Sequence, residues 1–125
     1  MKVAMISASD SGGGANVAAN DLSAALRQAN VDVKFFKALD GATLVDLTRL
    51  KFNSFLSRKI SKDQHQLSLN LGRNRHLERA VNKFKPDIIH LHWTSLGGLS
   101  AKSIKIINCK NIVWTCHDVR PFSEL

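Results

Sequence analysis

Lys2-Val3-Ala4-Met5-Ile6-Ser7-Ala8, followed by Ser9-Asp10-Ser11-Gly12-Gly13-Gly14, is a short apolar run broken by a polar, glycine-rich stretch. An apolar run of that length ending in a turn signal reads as a buried parallel strand. From Ala15 the pattern changes. Val17, Ala18, Leu22, Ala25, Leu26 and Ala29 recur at helical spacing, and Asn30 closes the segment. Val31-Asp32-Val33-Lys34-Phe35-Phe36 then reads as a second strand. Strand, glycine loop, helix, strand is a βαβ unit with a right-handed crossover.

The rest of the chain repeats the alternation. Thr43 to Lys62 mixes Leu44, Val45, Leu47, Leu50, Phe52, Phe55, Leu56 and Ile60 with basic residues and reads as helical. Asn74 to Lys85 places Leu77, Ala80, Val81 and Phe84 on one helical face, and Pro86 ends it. Asp87-Ile88-Ile89-His90-Leu91-His92-Trp93 is a third strand, and Gly97 and Gly98 mark a loop. Ser100 caps a helix running to about Ile107. Asn111-Ile112-Val113-Trp114-Thr115-Cys116 is a fourth strand, left by the loop His117-Asp118-Val119-Arg120-Pro121. The expected fold is α/β, a mostly parallel sheet covered by helices on both faces.

Composition narrows the class. The 125 residues are 44% hydrophobic and 22% charged, an ordinary globular mix for one domain that excludes a disordered tail or a fibre. No apolar run approaches the ~18 residues that span a bilayer. The opening Met1 to Ile6 is too short for a signal-peptide core. Two cysteines, Cys109 and Cys116, do not make a disulfide scaffold, so a reducing cytoplasm is expected, with both thiols as packing residues. Trp93 and Trp114 read as core, with stacking on a ligand a second role for Trp93.

The net charge of +8 is unevenly spread. Residues 1–48 carry four Lys/Arg and five Asp/Glu, residues 49–85 ten and two, and residues 86–125 four and three. The excess belongs to the middle third, which could face water or meet phosphate or anionic lipid. Nucleic acid is not expected as a partner. The segment has no interleaved Tyr or Trp and carries no nucleic-acid motif.

In parallel sheets, ligands bind beyond the carboxyl ends of the strands, where the strand order reverses. That rule selects Ser9 to Gly14, His92-Trp93 and His117-Asp118. Gly12, Gly13 and Gly14 let a backbone approach a ligand, and the helix N-terminus behind them favours an anion. The same glycines also suit a tight turn for geometry alone. The loop is not a Walker A motif, and Val17 stands where a dinucleotide fingerprint needs its third glycine. His90 and His92 alternate along a strand and face one side. His92, at the strand end, can line the site, and His90 reads as a hydrogen-bonded residue of the half-buried layer. His117 can donate to a sugar or phosphate oxygen or move a proton, and Asp118 can orient it or bind a hydroxyl. A cap on the loop's own backbone is the alternative for Asp118. No metal site is expected.

Three blocks carry a family likeness: Asp10-Ser11-Gly12-Gly13-Gly14-Ala15, Pro86-Asp87-Ile88-Ile89-His90-Leu91-His92-Trp93, and Ile112-Val113-Trp114-Thr115-Cys116-His117-Asp118-Val119-Arg120-Pro121-Phe122. In this order they resemble the N-terminal domain of the family 4 glycosyltransferases of GT-B fold, in particular bacterial enzymes of exopolysaccharide, colanic-acid-type and lipopolysaccharide assembly. Coverage is good over residues 1–40 and 76–123 and weak over 41–75. Arg120 stands where that group often has an aromatic residue.

The resemblance implies a Rossmann-like parallel sheet flanked by helices. Residues 1–125 would be one incomplete N-terminal domain, holding mostly the acceptor. A C-terminal domain, absent from these residues, would hold the nucleotide sugar. It implies retaining transfer to a glycan or lipid-linked acceptor without cofactor or metal. His117 and Asp118 would act at the reacting centre, and Asp10, Gly12, Gly13, Gly14, His92 and Trp93 would bind donor phosphate or acceptor. The chain alone is then expected to be inactive, cytoplasmic or peripheral on the inner membrane face through residues 49–85, and prone to self-association at an unpaired sheet edge. The competing expectation is a non-catalytic Rossmann-like binding module or remnant that needs a partner domain.

Overall fold

The structure, a computed structural model, describes residues 1–7, 13–37, 40–41, 43–45, 47–48, 51–52, 55, 73–92 and 99–117. The strands are β1 (Lys2–Ser7), β2 (Asp32–Lys37), β3 (Ile88–Leu91) and β4 (Ile112–Trp114). The helices are α1 (Gly14–Gln28), α2 (Arg75–Phe84) and α3 (Ala101–Ile106). The strands form one parallel sheet in the order β2-β1-β3-β4. The chain leaves β1 for one side, then crosses back to place β3 on the other. The order therefore reverses between β1 and β3, which is where a parallel sheet opens a crevice beyond its carboxyl ends.

Alternation along β1 splits the core. Val3 and Met5 face α1 and pack with Ala19 and Val33. Ala4 and Ile6 face the other way and pack with Phe36, Leu77, Val81, Ile89, Leu91, Leu99 and Ile107, under α2 and α3. A continuous apolar run is what a strand covered on both faces requires.

Local signals place the helix ends. Asn30 closes α1 in the left-handed region at φ 59°, a conformation that asparagine tolerates better than most residues. The Asn74 side chain accepts a hydrogen bond from the Leu77 amide at 3.1 Å, and Ser100 Oγ accepts from the Ser103 amide at 3.2 Å. Each cap satisfies one amide that the first helical turn cannot. In the stretch expected to be helical from Thr43 to Lys62, the described residues Leu44, Val45, Leu47, Thr48, Lys51, Phe52 and Phe55 are helical. The remainder of that stretch lies outside the described residues.

Three expectations are corrected. The buried face of α1 is Asn16, Ala19 and Ser23 with Leu22 and Leu26 partly buried, whereas Val17, Ala18, Ala25 and Ala29 are exposed. Small polar residues replace apolar ones there because the helix lies close on the sheet and Asn16 finds a partner in Ser7. The sheet is flanked by helices as expected, and among the described residues β4 is its most exposed strand. Ile112, Val113 and Trp114 are 42%, 48% and 47% exposed. Trp114 is therefore not core: it stands on β4, the last strand of the described sheet, on the face of Ile6 and Leu91. Cys116 is exposed, and Cys109 is half-buried, so neither thiol is a fully buried packing residue.

Candidate functional site

Ser7, the last residue of β1, has the same parity as Val3 and Met5 and so points to the α1 side. Its Oγ donates to Asn16 Oδ1 at 2.9 Å, and both side chains are buried. This bond fixes the first turn of α1 against the strand end. Ahead of it, Gly13 has φ 79° and ψ 153°, a backbone region essentially confined to glycine, and a Cβ there would meet nothing within 4 Å. The glycine is required by conformation and also leaves open space above the helix start. No side-chain cap closes that N-terminus, and its first turn has no acidic residue. The partial positive charge at the end of α1 thus faces the opening unneutralised by the helix's own residues.

The register then brings three imidazoles to the same side. His90 pairs with Met5 across β1 and β3, and with Val113 across β3 and β4. The ladder continues one residue past both strand ends, with the His92 amide donating to Ile6 O and the Thr115 amide to Leu91 O, each at 2.9 Å. The His90 and His92 rings lie 4.4 Å apart, and those of His92 and His117 are stacked at 5.4 Å. His90 Nε2 meets Thr115 Oγ1 at 2.8 Å. His92 Nδ1 meets His117 Nε2 at 3.1 Å. The alternation of His90 and His92 thus has the consequence expected of it, and His117 joins them from the end of β4.

Burial governs their protonation. His92 is 2% exposed, and loss of water lowers its pKa to about 4, with the neighbouring His90 and His117 adding to the effect. Burial also lowers the pKa of His90, with His117 contributing. Burial therefore favours the neutral form of His90 and His92, and a neutral imidazole can donate through one nitrogen and accept through the other. Among the described residues, no group of three or more His, Cys, Asp or Glu is arranged to hold a metal ion.

Of the residues selected from sequence, the structure brings Gly13, Gly14, His92 and His117 to the carboxyl end of the sheet. Asp10, Gly12, Trp93 and Asp118 lie outside the described residues. Sequence reasoning missed Ser7, Asn16 and Thr115. Asn16 was detectable as the polar start of a small-residue row, Asn16, Ala19, Ser23, that an apolar count passes over.

A second buried polar cluster was also missed, on the opposite face. Glu78 is 3% exposed and receives Arg73 Nη2 at 2.7 Å and Ser103 Oγ at 2.7 Å. The Arg73 hydrogen bond holds the Glu78 carboxyl below the usual carboxylate range, burial opposes this, and Ser103 assists it. The Asn74 amide donates to Ser103 Oγ at 3.2 Å. The cluster joins the start of α2 to the start of α3.

A parallel α/β sheet with a glycine-led helix end and imidazoles at its switch point defines a Rossmann-like domain. The family model that matches this chain is Glycosyltransferase Family 4, over residues 12–124, and the chain belongs to that family. The match runs from the glycine loop through the histidine-bearing strand to the residues after His117. No curated protein and no solved structure matches the chain.

Proposed function

We propose that this chain is the acceptor-side domain of a retaining glycosyltransferase that moves a sugar from a nucleotide sugar to a glycan or lipid-linked acceptor in bacterial surface polysaccharide synthesis. The observation that carries the reading is the convergence of the Gly13-Gly14 helix start with His92 and His117 at the carboxyl end of the sheet, in a chain of this family. In this reading the α1 N-terminus faces a phosphate or acceptor oxygen, His117 donates to a hydroxyl of the transferred sugar, and Asp118 and Trp93 complete the acceptor side. Transfer needs donor and acceptor held together, so the 125 residues alone bind without turnover.

The test is titration of the isotope-labelled chain with a nucleoside diphosphate and with nucleotide sugars, read by amide and imidazole resonances. Shifts at Gly13, Gly14, His92 and His117, lost in His117→Ala, are expected. Saturating ligand that moves none of these resonances overturns the phosphate contact of the α1 start and the sugar contact of His117.

The membrane side of the proposal rests on residues 43–55. Leu44 is 81% exposed, and Val45, Phe52 and Phe55 are also exposed, beside the basic segment that begins at Arg49. Apolar side chains next to clustered Lys and Arg suit a helix lying on an anionic surface. No helix among the described residues is long and apolar enough to cross a membrane. Cosedimentation should be salt-sensitive and confined to anionic vesicles. Equal retention by neutral vesicles counts against it.

A further inference from the structure

We infer that His92 is a positioning residue that sets the tautomer of His117, so that His117 offers an Nδ1–H donor to an oxygen ligand. The first half of the inference stands on geometry alone, and the ligand half rests on the glycosyltransferase reading.

The His92 ring is 2% exposed and has two nitrogens with different surroundings. Nδ1 lies 3.1 Å from His117 Nε2. Nε2 is buried and has no hydrogen-bond partner among the described residues. One proton must lie between the two rings for the 3.1 Å contact to be a hydrogen bond. It has two possible owners. If His117 Nε2 carries it, His92 Nδ1 accepts, and the neutral His92 must then hold its own proton on Nε2. That places an N–H donor in the interior with nothing to receive it. If His92 Nδ1 carries the proton, its Nε2 is left with only an unpaired lone pair. Orphaned buried N–H groups are the rarer and costlier case, and under-satisfied acceptors are tolerated more often. The arrangement therefore selects His92 Nδ1–H donating to His117 Nε2.

The consequence falls on His117. With Nε2 accepting, the neutral ring carries its proton on Nδ1. Which nitrogen of a histidine is protonated follows from the bond the other nitrogen makes. An unconstrained imidazole in water favours Nε2–H, so the buried ring reverses the ordinary preference. His117 is exposed, and its Nδ1 has no partner among the described residues. The available group is then a fixed donor, suited to a hydroxyl or phosphate oxygen and unable to accept. The His90 ring lies tilted against His92 at 4.4 Å and is itself held by Thr115.

The experiment is long-range proton–nitrogen correlation of the histidine rings in the uniformly labelled 125-residue chain at neutral pH, with no ligand added. His117 is expected in the Nδ1–H form, with Nε2 carrying the shift of an acceptor nitrogen. In His92→Leu the donor is gone, and His117 should move to the Nε2–H form. In His92→Asn the side-chain amide lies near the position of Nδ1, and the Nδ1–H form should persist. An Nε2–H His117 in the unmodified chain overturns the inference, and so does an unchanged tautomer in His92→Leu. The measurement on the unmodified chain needs no variant to fold. Titration with a nucleoside diphosphate or nucleotide sugar then separates the two levels. About tenfold weaker binding is expected in His92→Leu, the effect of one lost hydrogen bond, and near-native binding in His92→Asn. A correct tautomer with no binding in any form overturns the ligand contact assigned to His117 and leaves the positioning role standing.

Discussion

Ser23 is buried on the sheet side of α1, and its hydroxyl has no hydrogen-bond partner among the described residues. Replacing an unpaired buried hydroxyl with a methyl-sized side chain removes a desolvation penalty and improves helix propensity. Ser23→Ala should therefore raise stability by about 1 kcal/mol, read as a higher urea midpoint with an unchanged slope. His92 works in the opposite sense. In the folded chain it stays neutral to about pH 4, while in the unfolded chain it takes a proton near its ordinary value of 6.5. Between those values the unfolded state binds more protons. Stability is then full above pH 6.5, falls as the pH drops toward 4, and flattens below it, a loss of at most about 3 kcal/mol from this group. Urea unfolding across that range should show the slope in the parent chain and a flatter profile in His92→Asn. A parent profile with no slope over that window would count against a buried neutral His92.

At the scale of elements, the pairing of α2 with α3 depends on Glu78. Arg73 and Ser103 both donate to its carboxylate, and neither element is long: α3 has only 6 residues. A helix that short is marginal without tertiary support. Glu78→Ala leaves the Ser103 hydroxyl without its acceptor and should cost about 2 kcal/mol, with Glu78→Gln costing less because an acceptor oxygen remains. Hydrogen exchange should localise the loss to α3 first. Equal protection of α3 in Glu78→Ala would show that apolar contacts through Ile104 and Ile107 hold it instead. Much at this scale was legible in advance. The caps Asn74 and Ser100, the stop at Pro86 and the closing Asn30 are local devices, and local chemistry is what a sequence displays. The rotated face of α1 was not legible. Its burial is set by the closeness of the sheet and by the Ser7–Asn16 bond, a contact between elements that apolar periodicity does not record.

The whole molecule is asymmetric in how its two sheet edges are finished. The β2 edge carries Asp32, Lys34 and Lys37, charges that discourage a further strand from pairing there. The β4 edge presents Ile112, Val113 and Trp114, all exposed. Among the described residues no strand pairs with β4 on its outer side, and an apolar edge of that kind is a template for association. Sedimentation velocity should show concentration-dependent self-association of the chain, reduced by Val113→Lys. A single monomer boundary at all concentrations would show that this edge does not recruit a second copy.

By itself the sequence determined the alternation of strands and helices, the parallel sheet and the stops between its elements. Each of these follows from short-range periodicity, capping chemistry and the backbone limits of glycine and proline. It also marked Gly13, Gly14, His92 and His117 as candidates, because residues beyond strand ends in a parallel sheet gather at one rim. Their relation to one another was decided only in three dimensions. Strand order placed β3 beside β1, register set His90 opposite Met5 and Val113, and the continued ladder carried His117 to within 3.1 Å of His92. The same packing buried one imidazole and exposed the other. Burial and hydrogen-bond partners depend on residues far apart in the chain, so the protonation of this pair is a property of the fold and not of the motif.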